Sequence, residues 1–286
     1  MRHGRAAPKV VGRCMAKLAF VEKDFHHIPC GLMSLRQSIA VLICRLNRND
    51  ASCIKTGHGS VGKDEGAMAE ISQVSLGDAI YDRVCQDLVE GKLRPNEKVT
   101  IRGLAERLGT SSTPVRDAVQ RLLRDEALIQ RSMRDVRVPV LTEAQYLEIA
   151  SIRRELEGFA AGRAAEMVGP KEVRRLKKIV ERNEAAAVAG RWPQAVKYNQ
   201  EFHFALVEAA EMPILLAILS GLWLRMGPLI AGYYGREKLG LVRHHQAIIA
   251  ACENRDPAAA AAEMRADIDD AKEGIIRYIE SFTIGE

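Results

Sequence analysis

The stretch that most narrows what this chain can fold into is Thr100–Ala127, TIRGLAERLGTSSTPVRDAVQRLLRDEA. Its apolar residues fall into two short helical registers. Ile101, Leu104, Ala105 and Leu108 recur at i, i+3, i+4 and i+7, with Thr100 placed to cap the start and Gly109 to stop the turn. Val115, Ala118, Val119, Leu122 and Leu123 repeat that spacing, and Pro114 sits in the first turn, where a missing N–H costs nothing. Helices this short make no core by themselves; joined by a tight turn they predict a helix-turn-helix. Arg116, Gln120 and Arg124 stand off the second apolar stripe, and Ser111, Ser112 and Thr113 lead into it. Such groups bond phosphates and base edges from the N-terminal end of a recognition helix. The plain alternative is a solvated basic face.

The surrounding residues add a resemblance. GKLRPNEKV, then LAERLGTSSTPVRDAVQRL, is similar to the winged-helix domain of GntR-family regulators, which read G-x-L-x-P-G ahead of L-A-x-x-L-G-V-S-R-T-P-V-R-E-A-L. This chain departs at Asn96 for the Gly, Thr110 for the Val, Ser112 for the Arg and Asp117 for the Glu. The resemblance implies double-stranded operator DNA as partner, Arg102 and Arg116 as base-contacting residues, and Ser111 and Thr113 as phosphate ligands. Ser112 cannot make the bidentate guanine contact of an arginine, so an altered or relaxed operator sequence is expected.

Charge does not carry that argument. The net charge is +5, yet residues 1–67 hold 11 Lys+Arg against 5 Asp+Glu, and residues 76–140 hold 12 against 10. Local placement, not overall basicity, points to nucleic acid. No apolar run approaches the length of a membrane span; the longest, Ile39–Cys44 among them, have six residues. Six cysteines, four of them in the first 53 residues, make no disulfide framework. Cys85 and Cys252 fall on apolar helical faces as buried thiols, and a reducing, cytoplasmic compartment is expected.

Residues 1–70 lack sustained periodicity and hold four of the seven histidines. Lys17 and Glu22 break any signal-like apolar run. Gly57, Gly59 and Gly62 spell G-x-G-x-x-G without the strand and βαβ unit that would give it meaning. This segment is read as a disordered extension, or as upstream sequence translated from a misassigned start, with Met68 opening the regulator proper. Residues 71–140 form the winged helix-turn-helix domain, beginning with a helix over Leu76–Glu90 and ending in a two-stranded wing over Leu128–Val140. The wing tip carries Met133–Arg134–Asp135 in place of glycine, and Arg131 and Arg134 stand near it.

Residues 141–286 read as helices throughout, an effector-binding and dimerisation domain. Thr142 and Gln145 make a capping box, followed by Ile149, Ile152, Leu156 and Phe159 at helical spacing. Further helices cover Pro170–Ala189, a segment from Pro193, a segment from Pro213 that breaks near Gly227–Pro228, Glu237–Asn254, and Pro257 to about Ser281. The fold class is therefore mainly α: an N-terminal winged helix-turn-helix, then an antiparallel all-helical bundle.

Polar residues stand on several of those apolar stripes. Asn199 and His203 share a face with Phe202 and Leu206; His245 with Leu241, Ile248 and Ile249; Asp267 with Met264 and Ile268. Burying such groups unpaired is costly, so they bond one another or hold something. Two imidazoles plus oxygen ligands suit a divalent ion of the Zn, Ni or Mn class; a hydrogen-bonded core network is the alternative. NQEFHFALVEAA, then HQAIIAACENRDPAAAAAEMRADI, is similar to the FCD effector domain of the FadR branch of GntR regulators. The resemblance implies a metal held by Asn199, His203, His245 and Asp267, with Asp267 replacing the family's third histidine and Asn199 its usual carboxylate. It also implies a small carboxylate effector bound by the ion and Arg153, in IRRELEGFAA, and a homodimer on a near-palindromic operator. His244 lies off the stripe. Two readings compete: a metal-dependent enzyme acting on a small carboxylic acid in the bundle, and an adaptor using the winged helix for protein contacts. No nucleophile or general base is placed by spacing near the set.

Overall fold

The computed structural model describes residues 76–237 and 242–283. The expectations for residues 1–70 lie outside the described residues.

Helix α1 (Leu76–Val89) buries Ile80, Val84 and Leu88. It ends at Gly91, whose φ of +70° suits glycine. Asn96 follows at φ +64°. Asparagine is the residue that best tolerates this left-handed conformation after glycine, which accounts for its place in the turn. Strand β1 (Lys98–Val99) leads into α2 (Ile101–Leu108) and α3 (Ser112–Arg124). Thr100 Oγ1 accepts from Gly103 N at 3.1 Å, and Gly109 closes α2 in the left-handed region. Strands β2 (Ile129–Ser132) and β3 (Asp135–Arg137) form the wing hairpin. The sheet has three strands rather than two, in the order β1-β3-β2. Lys98 pairs with Arg137 and Val99 with Val136. A two-residue strand is too short to show alternation, so β1 escapes sequence reading. Val115, Val119, Leu122, Leu104 and Leu128 close the core of this region, joined by Leu224 from a later helix.

The rest is helical: α4 (Glu143–Met167), α5 (Pro170–Val188), α6 (Trp192–Ala209), α7 (Pro213–Glu237), α8 (Arg243–Glu253), α9 (Pro257–Asp270) and α10 (Lys272–Thr283). The Thr142–Gln145 capping box is present. The stripe read for α4 is displaced, however. Ile152 and Phe159 point outward, 40% and 55% exposed, while Ala150, Arg153, Glu157, Ala161 and Ala164 face inward. The cause is close helix packing. A Cβ on Gly162 would sit 3.0 Å from the Pro257 carbonyl oxygen, so α9 leaves room at Gly158 and Gly162 only for the smallest residues, while Arg153 and Glu157 face α6 and α7.

Helix α7 does not break. It runs through Pro228, where one backbone hydrogen bond is forfeited, because Met226, Leu229 and Ile230 beside it are packed into the core. Over Pro213–Arg236 this helix is long and apolar enough to cross a membrane, with mean hydropathy 1.8, but 61% of that window is buried inside the bundle. Its apolarity is that of a core helix. Helix α8 starts at Arg243, six residues later than expected from Glu237. The final helix is two: the chain turns at Ala271, and Ile275 and Ile279 of α10 enter the same core as α7.

Candidate functional site

Three of the expected metal residues converge inside the bundle. Asn199 and His203 lie one turn apart on α6, His245 on α8 and Asp267 on α9. Asn199, His203 and His245 are buried, at 5%, 2% and 0% exposure. His203 Nε2 is 3.4 Å from Asp267 Oδ2, and His245 Nε2 is 3.7 Å from Asp267 Oδ1. The two imidazoles meet nearly perpendicular, centroids 5.3 Å apart. One ligand atom from each of His203, His245 and Asp267 lies within 4.8 Å of the others. Asn199 and Arg153 border the same cavity, together with Tyr146, Trp223, Met226 and Tyr234.

Sequence reading assigned no role to a residue at the centre of this network. Glu157 accepts from Arg153 Nε at 2.6 Å, from Trp223 Nε1 at 3.0 Å and from His203 Nδ1 at 2.5 Å, and is itself 1% exposed. Arg153, also buried, lies over the Trp223 ring at 4.0 Å. It is therefore no exposed helical arginine. The spacing of Glu157, one turn after Arg153, carries no signal by itself, since such a pair on a helix is equally the mark of an exposed ion pair.

The electrostatics follow from burial and pairing. Burial works against charge on Glu157, but the Arg153 guanidinium and the His203 ring outweigh it and hold the carboxyl at about 2. Burial also opposes the His203 cation, yet the Glu157 and Asp267 carboxylates keep it up at about 9. At His245 burial outweighs the pull of Asp267 and drives the ring down to about 4, with the neighbouring His203 and His244 adding to the effect, leaving it neutral.

These residues fit a metal ion. Both ring nitrogens of His245 are buried without a hydrogen-bond partner, although buried polar groups are nearly always paired. A neutral imidazole with free nitrogens, 3.7 Å from a carboxylate that a second imidazole also faces, has ligand chemistry rather than core chemistry. Glu157 on His203 Nδ1 is the outer carboxylate that commonly orients a ligating histidine and leaves Nε2 to the metal. His203, His245 and Asp267 would hold the ion, with Asn199 beside them.

The expected DNA-facing residues are exposed on α2, on α3 and in the turn between them. Ser111, Ser112, Thr113, Arg116 and Gln120 are all exposed on or before α3. Ser111 stands at the N-cap with no side-chain cap bond, so its hydroxyl is not taken up by the helix. Arg102, 90% exposed on α2, is bonded to Glu106 at 2.8 Å. His244, set aside from the sequence, bonds Glu263 and Asp270 away from the cavity.

Comparison with known proteins agrees with both halves. The sequence profile of bacterial regulatory proteins of the gntR family matches residues 76–138, and that of the FCD domain matches residues 148–270. The chain is 34% identical over 159 residues to the HTH-type transcriptional regulator McbR of Escherichia coli K12, covering 56% of this chain and 72% of McbR. It is 28% identical over 188 residues to a probable D-xylose utilization operon transcriptional repressor of Paenarthrobacter nicotinovorans, covering 65% and 83%. Among solved structures, E. coli McbR/YncC superposes with a TM-score of 0.67 at 28% identity, covering 72% of this chain and 99% of that one. A putative GntR regulator of Rhodococcus sp. RHA1 shares the fold, with a TM-score of 0.61 at 18% identity over 70% and 97% of the two chains.

Proposed function

The chain belongs to the GntR family of bacterial transcriptional regulators and carries an FCD domain, and from that premise we propose that a small carboxylate, bound with a divalent metal ion in the bundle, sets its affinity for operator DNA. The observation that carries this reading is His245: a buried ring with two unbonded nitrogens, facing Asp267 and His203 inside a bundle joined to a winged helix. When bound, the ion supplies a Lewis-acidic point for a carboxylate oxygen; Arg153 borders the same cavity. Residues 71–140 then serve DNA, through Arg102, Arg116, Gln120 and the Ser111–Thr113 approach to α3, and residues 141–286 serve effector and dimer. The protein is expected to act in the cytoplasm.

Helix α7 supplies the link between the two tasks. Trp223, Met226, Ile230 and Tyr234 line the cavity. Between them, Leu224 enters the winged-region core, and Gly227 lies against Val89 of α1. Arg225 pairs with Glu126 just beyond α3 at 2.6 Å. A ligand that repositions α7 bears directly on the winged helix, and shifts operator affinity by its differential binding to the two placements. A second copy is assigned to the outward apolar residues of α4 and α7, Ile152, Phe159, Ile214 and Ile218, because two recognition helices are needed to span a near-palindromic site.

Metal analysis of protein purified without a metal-affinity tag, with thermal melts in the presence of small carboxylic acids, tests this reading. Stoichiometric metal and an acid-dependent rise in Tm support it. Absence of both overturns it and returns Asn199, His203, His245 and Asp267 to a structural role. The enzyme alternative draws no support from the relatives, which are regulators; metal-dependent turnover of an acid would revive it.

A further inference from the structure

We propose that the metal-loaded cavity takes a monocarboxylate with an apolar tail, and that Glu157 is the positioning residue that limits the ligand to one negative charge. The proposal rests on the metal-and-acid reading above and adds the ligand's class and the residue that sets it.

The argument is a count of buried charge. His203 and His245 ligate as neutral imidazoles, Asn199 contributes no charge and Asp267 contributes one negative. Glu157 cancels Arg153 through contacts of 2.6 Å and 3.4 Å. With a divalent ion the enclosure is left with a single excess positive charge. One carboxylate matches it. A second on the same molecule would stand without a countercharge among Met226, Ile230, Ile268 and Ile275, side chains that favour an apolar tail instead.

Glu157 also occupies the Nε–Nη2 edge of the guanidinium, one of the two edges a second carboxylate could use. Arg153 Nε and Nη2 are bonded to Glu157, and the group is stacked on Trp223. Nη1 faces the Met226 sulfur at 3.9 Å at the cavity wall. A carboxylate reaching Arg153 meets only the outer Nη edge of a guanidinium whose charge Glu157 already balances. The cavity measures about 20 Å³, room for an ion or a water. The tail therefore enters by displacing side chains, and Met226, unbranched and adaptable, moves most readily.

The test uses full-length protein loaded with Zn²⁺ and titrated calorimetrically with two matched pairs: benzoate and isophthalate, hexanoate and adipate. In the wild type each monoanion binds about tenfold or more tightly than its dianion partner. Glu157→Gln keeps the shape and the acceptor for His203 but removes the charge, and narrows that preference by about tenfold. Asn199→Asp adds a charge on the opposite side and weakens benzoate by a similar factor. Because the two variants move selectivity in opposite directions, a folding failure of one leaves the other to decide. Dianions binding the wild type as tightly as monoanions, or a ratio unmoved by both variants, overturns the proposal while the acid reading stands. If no acid binds the loaded wild type, the acid reading itself falls and takes this proposal with it.

Discussion

At the scale of single residues, His245 separates a metal site from a structural network by the sign of one substitution. Its two unbonded nitrogens burden the metal-free fold, since a buried polar group without a partner costs about 1–3 kcal/mol. His245→Leu is therefore expected to leave the metal-free protein as stable as the wild type or more so, while abolishing the Tm rise on adding Zn²⁺. Loss of stability without metal would show that the ring is a satisfied part of the core. The described thiols give a second check on burial. Burial pushes Cys85 up to about 12 and Cys252 up to about 11. Each is protonated at pH 8, so native labelling followed residue by residue in a mass spectrometer should be about a hundredfold slower than in the unfolded chain. The rate should climb only as pH approaches 11; fast labelling at pH 8 would contradict the packing. On the DNA side, Ser112 lies exposed at the start of α3. Sites selected from random DNA should depart from the family's usual half-site, and recovery of that half-site would count against the Ser112 argument. His203, His245 and Asp267 were readable as polar interruptions of apolar stripes. Glu157 was not, because a charged pair one turn apart on a helix reads as an exposed ion pair until the packing of α6 and α7 shows that this part of α4 is covered.

At the scale of elements, α7 carries the contrast between a glycine that packing requires and one it does not. A Cβ on Gly227 would come 2.9 Å from the Val89 Cα, a backbone atom that cannot swing aside. Gly235, in the same helix, meets nothing within 4 Å. Gly235→Ala should stabilise by about 0.5–1 kcal/mol through helix propensity. Gly227→Ala should instead cost about 1–3 kcal/mol by forcing α1 and α7 apart. Equal effects in urea unfolding would refute the contact. The elements also show what sequence periodicity carries. The helix-turn-helix and the α4 cap were legible because local chemistry decides them: Thr100, Gly109 and Thr142 act on neighbours three or four residues away. The orientation of α4, the continuity of α7 through Pro228 and the turn at Ala271 are decided by distant partners. Pro257, Met226 and Ile275 fix those features, and no window of sequence contains both sides of such a contact.

At the scale of the whole molecule, several large apolar side chains lie exposed on two of the helices that line the cavity. Ile214 is 62% exposed, Phe159 55% and Ile218 49%, on two helices that pack against each other. Large apolar side chains exposed on packed helices mark an association surface more often than chance exposure, and a second copy fits the proposed near-palindromic operator. Because α4 and α7 also line the cavity, ligand and partner would bear on the same pair of helices. The double variant Phe159→Glu, Ile218→Glu should then sediment as a monomer, with unchanged metal content, since neither side chain borders the cavity. Each winged helix would still find a half-site, but the linkage that makes the second contact intramolecular would be gone. Operator affinity should fall by about a hundredfold or more, with half-site affinity untouched. A variant that stays dimeric places the partner elsewhere. A monomer that holds the full operator as tightly as the wild type would mean that one winged helix suffices, and that the acid acts within a single chain through α7.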